Sequence, residues 1–196
     1  MMIFNQDLVK SRKASSIDNI KNSDFYRFLY SDLIQRLEPI DKTYKEGLVL
    51  GFGNYHMFPI NNPYNLNYTE LDQLVLIEKK SLDLVLFPFG FHWLNDVQKF
   101  LFKVKDVLKN DGIFVCNFAG SGSLNHLRKL LFLAEEDHNI PHFPHISPFI
   151  KFEDMTPLMQ QAGFAENIID CETIELEYKN PILFMTGPKN IEEKNA

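Results

Sequence analysis

The pattern of apolar and polar positions is clearest in the middle of the chain. An almost continuous apolar run at 82–87 is typical of a strand that is covered on both faces. Apolar residues spaced three and four apart over 97–108 then predict an amphipathic helix, with Asn95 or Asp96 as its cap. A second apolar run follows at 113–118. Strand, helix and strand in this order predict a βαβ unit and therefore a parallel sheet.

The segment before this unit predicts one helix and one short strand. The helix covers 25–37, and the strand at 48–50 runs into a turn that contains Gly51 and Gly53. Backbone N–H groups in such a turn can approach a ligand closely, because glycine has no Cβ atom. A tight turn at the end of a strand is the alternative interpretation.

The interval 54–81 is rich in proline, asparagine and aromatic residues and has no helical period. A complete βαβ crossover needs roughly 30 residues or more, so two strand-helix units do not fit here. We predict one short strand, at 74–77, and a long loop.

The residues after the central unit predict a helix at 124–134, a second at 154–162 and a strand near 168–178. The strand is expected to pair with an antiparallel partner at 182–186. The first of these helices ends in three acidic residues at 135–137, the wrong sign for a helix C-terminus.

The loop at 138–149 contains three prolines and three histidines, His138, His142 and His145. Their spacing matches no common zinc pattern, so we expect no metal at this loop. Its role cannot be derived from the pattern alone.

Composition excludes several classes of function. The chain has 196 residues, 45% of them hydrophobic and 23% charged, which is typical of one globular domain. A formal charge of −6 argues against non-specific nucleic-acid binding. Neither a transmembrane segment nor a signal peptide is evident. We interpret Cys116 and Cys171 as reduced core thiols in strands, which predicts a cytoplasmic protein.

Several motifs resemble the later strands of class I S-adenosylmethionine (SAM)-dependent methyltransferases. They are LDLV at 82–85, HWLND at 92–96, LKNDG at 108–112 and QAGF at 161–164. Three further segments, MIFNQDL at 2–8, LNHLR at 124–128 and PHISPF at 144–149, resemble the methyltransferase-like complex I assembly factors and their alphaproteobacterial relatives. The mitochondrial members of that family are described as arginine hydroxylases. The malonyl-acyl carrier protein methyltransferase of the biotin pathway is a more distant relative.

This resemblance implies a reduced, Rossmann-like class I methyltransferase fold, with a mainly parallel sheet and a C-terminal antiparallel pair. A single domain is expected at 1–186 and a flexible tail at 187–196. The cofactor would be SAM, if the protein is active. The expected cofactor contacts are Gly51, Gly53, Asp72 and Phe87. The expected substrate or partner contacts are Trp93, Asn117, His145 and Phe149.

His92 is the candidate catalytic residue, as a base or a substrate hydrogen-bond partner, and a purely structural histidine is the alternative. Trp93 can equally pack against the crossover helix. The loop at 144–149 can either bind a partner or cover the core.

Departures from the family pattern decide the expected function. Val49 stands where the family has an acid, and Tyr55 where it has a third glycine. The interval 54–81 is expected to leave no room for the strand whose acid holds the ribose, and the family's segment after Met185 is expected to be absent. We therefore expect a degenerate cofactor site and a role in complex I assembly, through a respiratory-complex subunit or another assembly factor. An active methyltransferase with an unconventional cofactor loop is the alternative.

Overall fold

Four strands, together with four helices that each have at least ten residues, form most of the described chain. The structure, a computed structural model, describes residues 4–5, 7–9, 11, 23–51, 58–66, 73–146 and 148–180. In chain order the elements are α1 (Asp24–Leu37), β1 (Tyr44–Leu50), β2 (Ile60–Leu66), β3 (Leu82–Pro88), α2 (Val97–Val107), β4 (Leu108–Asn117), α3 (Asn125–Asp137) and α4 (Phe152–Gln161).

The strands form one sheet in the order β2-β1-β3-β4, and every neighbouring pair is parallel. Leu84 of β3 pairs with Ile113 of β4, and Phe87 pairs with Cys116. The predicted βαβ unit is therefore confirmed, as is the mainly parallel α/β fold class. β1 lies between β2 and β3, so the chain order reverses direction on the two sides of β1, as in Rossmann-like sheets.

Strand β3 lies at the centre of the core. Leu84, Val85, Leu86 and Phe87 are all 0% exposed, because side chains on both faces of the strand are covered. Helix α1 contacts β3 and β4, and α2 contacts β4 and α4. Within the described ranges, no helix is long and apolar enough to cross a membrane.

The interval 54–81 differs from the prediction. Its strand is β2, which pairs with β1 from Tyr44 and Ile60 to Leu50 and Leu66. Pro63 is tolerated there because β2 is at one edge of the described sheet, where a missing N–H costs little. The expectation that no strand fits beside β1 is therefore wrong.

The predicted strand at 74–77 is also wrong. Residues 73–76 form a 3₁₀ turn, in which Leu74 is buried while Val75 and Leu76 are 67% and 80% exposed. A run of apolar residues needs a neighbouring strand to become a strand, and the neighbour of β1 on this side is already β2.

The predicted C-terminal strand near 168–178 is wrong as well. Residues 168–178 contain no strand, and the alternating side chains of Ile174, Leu176 and Tyr178 are exposed. The segment has no ladder partner in the part of the chain that is described, so its alternating pattern has no sheet to join. The predicted partner at 182–186 lies outside the described residues, as does the predicted tail at 187–196.

One buried carboxylate joins three strands at the amino end of the sheet. Asp83 of β3 is 7% exposed and accepts hydrogen bonds from the backbone N–H groups of Lys45 (3.1 Å) and Glu46 (2.9 Å) in β1. It also pairs with the Nζ atom of Lys109 in β4, at 2.6 Å. Burial raises the pKa of Asp83, but these hydrogen bonds and the Lys109 charge outweigh burial and lower the pKa overall.

Replacing Asp83 by alanine is expected to lower the free energy of unfolding by about 1–3 kcal/mol, because it leaves two N–H groups and an ammonium without their acceptor. Urea unfolding at neutral pH measures this change. Asp106→Ala is the matched control, because Asp106 pairs with Lys79 and both side chains are mostly exposed. That control should cost less than about 0.5 kcal/mol. Equal losses in the two variants would contradict the role assigned to Asp83.

Candidate functional site

The carboxyl ends of the parallel strands define the edge at which ligands bind in open α/β sheets. β1 ends beside Gly51, whose φ of 130° lies in a region that favours glycine. The N–H of Gly51 donates a hydrogen bond to the carbonyl of Leu66 at the end of β2, at 2.8 Å. This predicted cofactor donor is therefore already bonded within the sheet.

An aromatic cluster follows the end of β3. His92 is 7% exposed, and its ring centroid lies 4.8 Å from that of Phe89, 5.1 Å from that of Trp93 and 5.8 Å from that of Phe149. The structure thus brings together three residues that the sequence predicted for the site, His92, Trp93 and Phe149. Their roles toward a substrate or partner stay predictions.

Trp93 packs against residues near the start of the chain. Its ring lies 5.6 Å from the ring of Phe4 in an edge-on arrangement, and Val9 completes this small apolar cluster. The side-chain amide of Asn95 fixes Phe4 by accepting from its N–H (2.8 Å) and donating to its carbonyl (3.0 Å).

Asn117 at the end of β4 connects the sheet to α1. Its Nδ2 donates to the carbonyl of Leu29 (2.8 Å) and to the carboxylate of Asp32 (3.1 Å). Its Oδ1 accepts from the N–H of Phe89 at 3.0 Å. Both the Nδ2 and the Oδ1 atoms of Asn117 are therefore bonded within the protein. Through Phe89, Asn117 orients the start of the aromatic cluster.

Glu135 of α3 binds the loop that contains His142 and His145, which we call the histidine loop. The sequence analysis did not identify Glu135 as a site residue. It is 8% exposed and accepts hydrogen bonds from His145 Nε2 (2.6 Å), His142 Nδ1 (3.1 Å) and the N–H of Phe143 (3.2 Å). The hydrogen bond from His145 lowers the pKa of Glu135, burial opposes this, and His142 and Phe143 lower it further. Its negative charge at the C-terminal end of a helix was the one feature of the sequence that pointed to Glu135, because an unfavourably placed carboxylate needs a local partner.

Arg128 holds the other end of the same loop. Its Cζ atom lies 5.2 Å from the ring centroid of Phe149, a cation–π distance. Phe132 stacks on His142 with ring centroids 4.3 Å apart and an interplanar angle of 13°. Helix α3 therefore fixes residues 142–145 and Phe149 against the aromatic cluster.

The remaining residues predicted to contact the cofactor are Phe87, Gly53 and Asp72. Phe87 is fully buried between Phe91 and Phe100, and Val49 is buried and carries no charge. Strand β2 contains no acidic residue to accept ribose hydroxyls. Gly53 and Asp72 lie outside the described residues.

The described residues provide neither a metal-binding cluster nor a reactive buried thiol at this site. No cluster of three or more histidine, cysteine, aspartate or glutamate side chains suited to a metal ion occurs among the residues that the structure describes. Burial raises the pKa of the Cys116 thiol to about 12, so the thiolate is not populated at neutral pH. Cys171 is exposed in an irregular segment, so its prediction as a core thiol in a strand is wrong.

The lowered pKa of Glu135 predicts a specific pH dependence. Because the unfolded chain binds the proton more tightly, the stability that this group contributes is complete above its ordinary pKa of 4.5 and is lost as pH falls through the lowered value. Glu135→Gln should unfold at lower urea concentration at neutral pH and show a weaker pH dependence in this acid range. Asp137→Asn, two residues along and exposed, should behave like the wild type. Identical pH profiles for Glu135→Gln and the wild type would contradict the role of Glu135.

Comparison with known proteins agrees with the resemblance seen in the sequence. Residues 61–116 match the family described as "Methyltransferase domain". A proposed methyltransferase of Rickettsia prowazekii is 47% identical over 125 residues, which are 64% of this chain and 55% of that protein. The mitochondrial arginine-hydroxylase NDUFAF5 of Dictyostelium discoideum is 32% identical over 125 residues, 64% of this chain and 29% of that protein.

A malonyl-[acyl-carrier protein] O-methyltransferase of Nitrosospira multiformis is 29% identical over 127 residues, 65% of this chain and 39% of that protein. The chain spans about half the length of the Rickettsia relative and less of the other two. The predicted resemblance is confirmed: the chain carries a methyltransferase-domain segment and is related both to the arginine-hydroxylases and to the malonyl-[acyl-carrier protein] methyltransferases.

Proposed function

We propose that this methyltransferase-like protein has a degenerate cofactor site and acts by binding another protein, as an assembly factor of the complex I type. The observation that carries the proposal is the state of the polar groups at the carboxyl edge of the sheet. The Gly51 N–H and the Asn117 amide are engaged within the protein, and β2 offers no carboxylate.

SAM is therefore expected to bind weakly or not at all. A cofactor of this type relies on backbone donors at the glycine turn and on a carboxylate that accepts two ribose hydroxyls. Losing a pair of charge-assisted hydrogen bonds reduces affinity by roughly a hundredfold or more.

Isothermal titration with SAM and with S-adenosylhomocysteine measures this directly. We expect no saturable heat, and no increase in melting temperature when either compound is present in excess. A low-micromolar dissociation constant for either compound would show that the cofactor site is intact.

The surface proposed to bind the partner is the loop that α3 holds in place. Phe143 is 59% exposed and Ile140 49%, and the side chain of His145 is 44% exposed although its Nε2 is fixed by Glu135. A loop with three prolines that is fixed at two points loses little conformational entropy on binding. Exposed aromatic side chains in such a position are common anchors of interfaces. By resemblance, the partner is a respiratory-complex subunit or another assembly factor.

A pull-down with tagged protein tests this surface. Phe143→Ala should stay folded, because its side chain is 59% exposed, and should lose capture of a respiratory-complex subunit. His145→Ala should lose capture too, and because it also removes a hydrogen bond to Glu135, its fold is checked by circular dichroism. Phe102→Ala on α2 is the matched control, since Phe102 is 47% exposed and distant in sequence from the loop. If both loop variants capture the same partners as the control, the loop is not the binding surface.

The second candidate is an active SAM-dependent methyltransferase, either of the biotin-pathway type or protein-modifying. One observation favours it: β2 is present beside β1, in the position from which this family reaches the cofactor. His92 would then act as the base or hydrogen-bond partner, from its place in the aromatic cluster at the end of β3. The titration with SAM separates the two candidates.

A further inference from the structure

The outward face of α3 leaves large apolar side chains in contact with solvent. Only Glu135 is buried on this helix of 13 residues. Leu130 and Leu133 are 51% and 44% exposed. Arg128 and Glu135 contact the histidine loop. Because the helix has 3.6 residues per turn, Leu130 and Leu133 lie on the side of α3 away from this loop. The side of α3 that faces away from the loop therefore presents Leu130 and Leu133 to solvent.

The charges beside these leucines run against the helix dipole. Lys129, in the N-terminal half, and Glu136, in the last turn, are seven residues apart and lie on the same side of the helix. The last turn contains no basic residue and the first turn no acidic one, which is unfavourable at both ends. The histidine loop accounts for Glu135, whereas Glu136 and Asp137 are exposed.

We propose that the outward face of α3 pairs with α3 of a second copy of this chain in an antiparallel arrangement. Lys129 then lies opposite Glu136 of the second copy, and Leu130 opposite Leu133 of the second copy. The two pairings are centred one residue apart, on either side of residue 132, and the long lysine and glutamate side chains can span this offset of about 1.5 Å around a single two-fold axis. Each leucine pair forms the seam, and each lysine–glutamate pair flanks it, as in coiled coils.

Self-complementary charge is the argument for a second copy as the occupant. A helix that is basic toward its beginning and acidic toward its end matches its own sequence when it is reversed. Antiparallel packing also places the end of one dipole beside the beginning of the other, which offsets the unfavourable charges.

This pairing is independent of the proposed partner surface. It uses the side of α3 that faces away from residues 142–149, which Arg128 and Glu135 hold on the other side. Loss of partner capture and loss of self-association can therefore be measured separately.

Sedimentation equilibrium of the full chain tests the proposal. The wild type should form a dimer. Lys129→Glu should weaken dimerisation by about tenfold or more, because two attractive pairs per dimer become repulsive. Glu136→Lys should do the same. The double variant Lys129→Glu/Glu136→Lys should recover the dimer, and a mixture of the two single variants should form a heterodimer.

Two further variants complete the test. Leu133→Ser should abolish the dimer, and Lys99→Glu, an exposed charge reversal on α2, should leave it unchanged. A wild type that remains monomeric at its highest soluble concentration would overturn the proposal. A dimer that persists in Lys129→Glu and Leu133→Ser, or a double variant that fails to recover it, would do the same.

Discussion

The complete burial of β3 is the constraint on which the rest of the fold depends. A strand that is covered on both faces needs layers on each side and parallel neighbours at both edges, and β1 and β4 supply those neighbours. Only one polar group interrupts this strand, Asp83. It is tolerated because it satisfies the first backbone donors of β1 and the ammonium of β4 at once. The position of α1 then follows, since Asn117 ties it to the end of the same sheet.

The candidate site repeats this principle at a helix. Glu135 is tolerated in a buried position because three donors of one loop converge on it. The consequence is a loop in which His142 and His145 bond inward to Glu135 while Phe143 and Ile140 are exposed. A surface of that kind is suited to contact with another protein rather than to acid–base chemistry.

The sequence was sufficient for the central βαβ unit and for α1, because apolar periodicity in both is long and regular. It was insufficient at β2, where Pro63 and several asparagines hid an edge strand, and at 168–178, where the alternating pattern lacks a described partner strand. His92, Trp93 and Phe149 were predicted for the site and do meet. Glu135 and Arg128 were missed, because their roles depend on which face of α3 turns toward the loop, and periodicity alone does not decide this.

The contacts between α3 and its loop also affect how the molecule unfolds locally. The bonds from His142 and His145 to Glu135 close segments of only 7 and 10 residues, whereas the bond from Asn117 to Leu29 spans 88. Short closures form early and at little entropic cost, and long ones require the sheet. Helix α3 with its loop is therefore expected to unfold locally more readily than the sheet, whose contacts span longer segments.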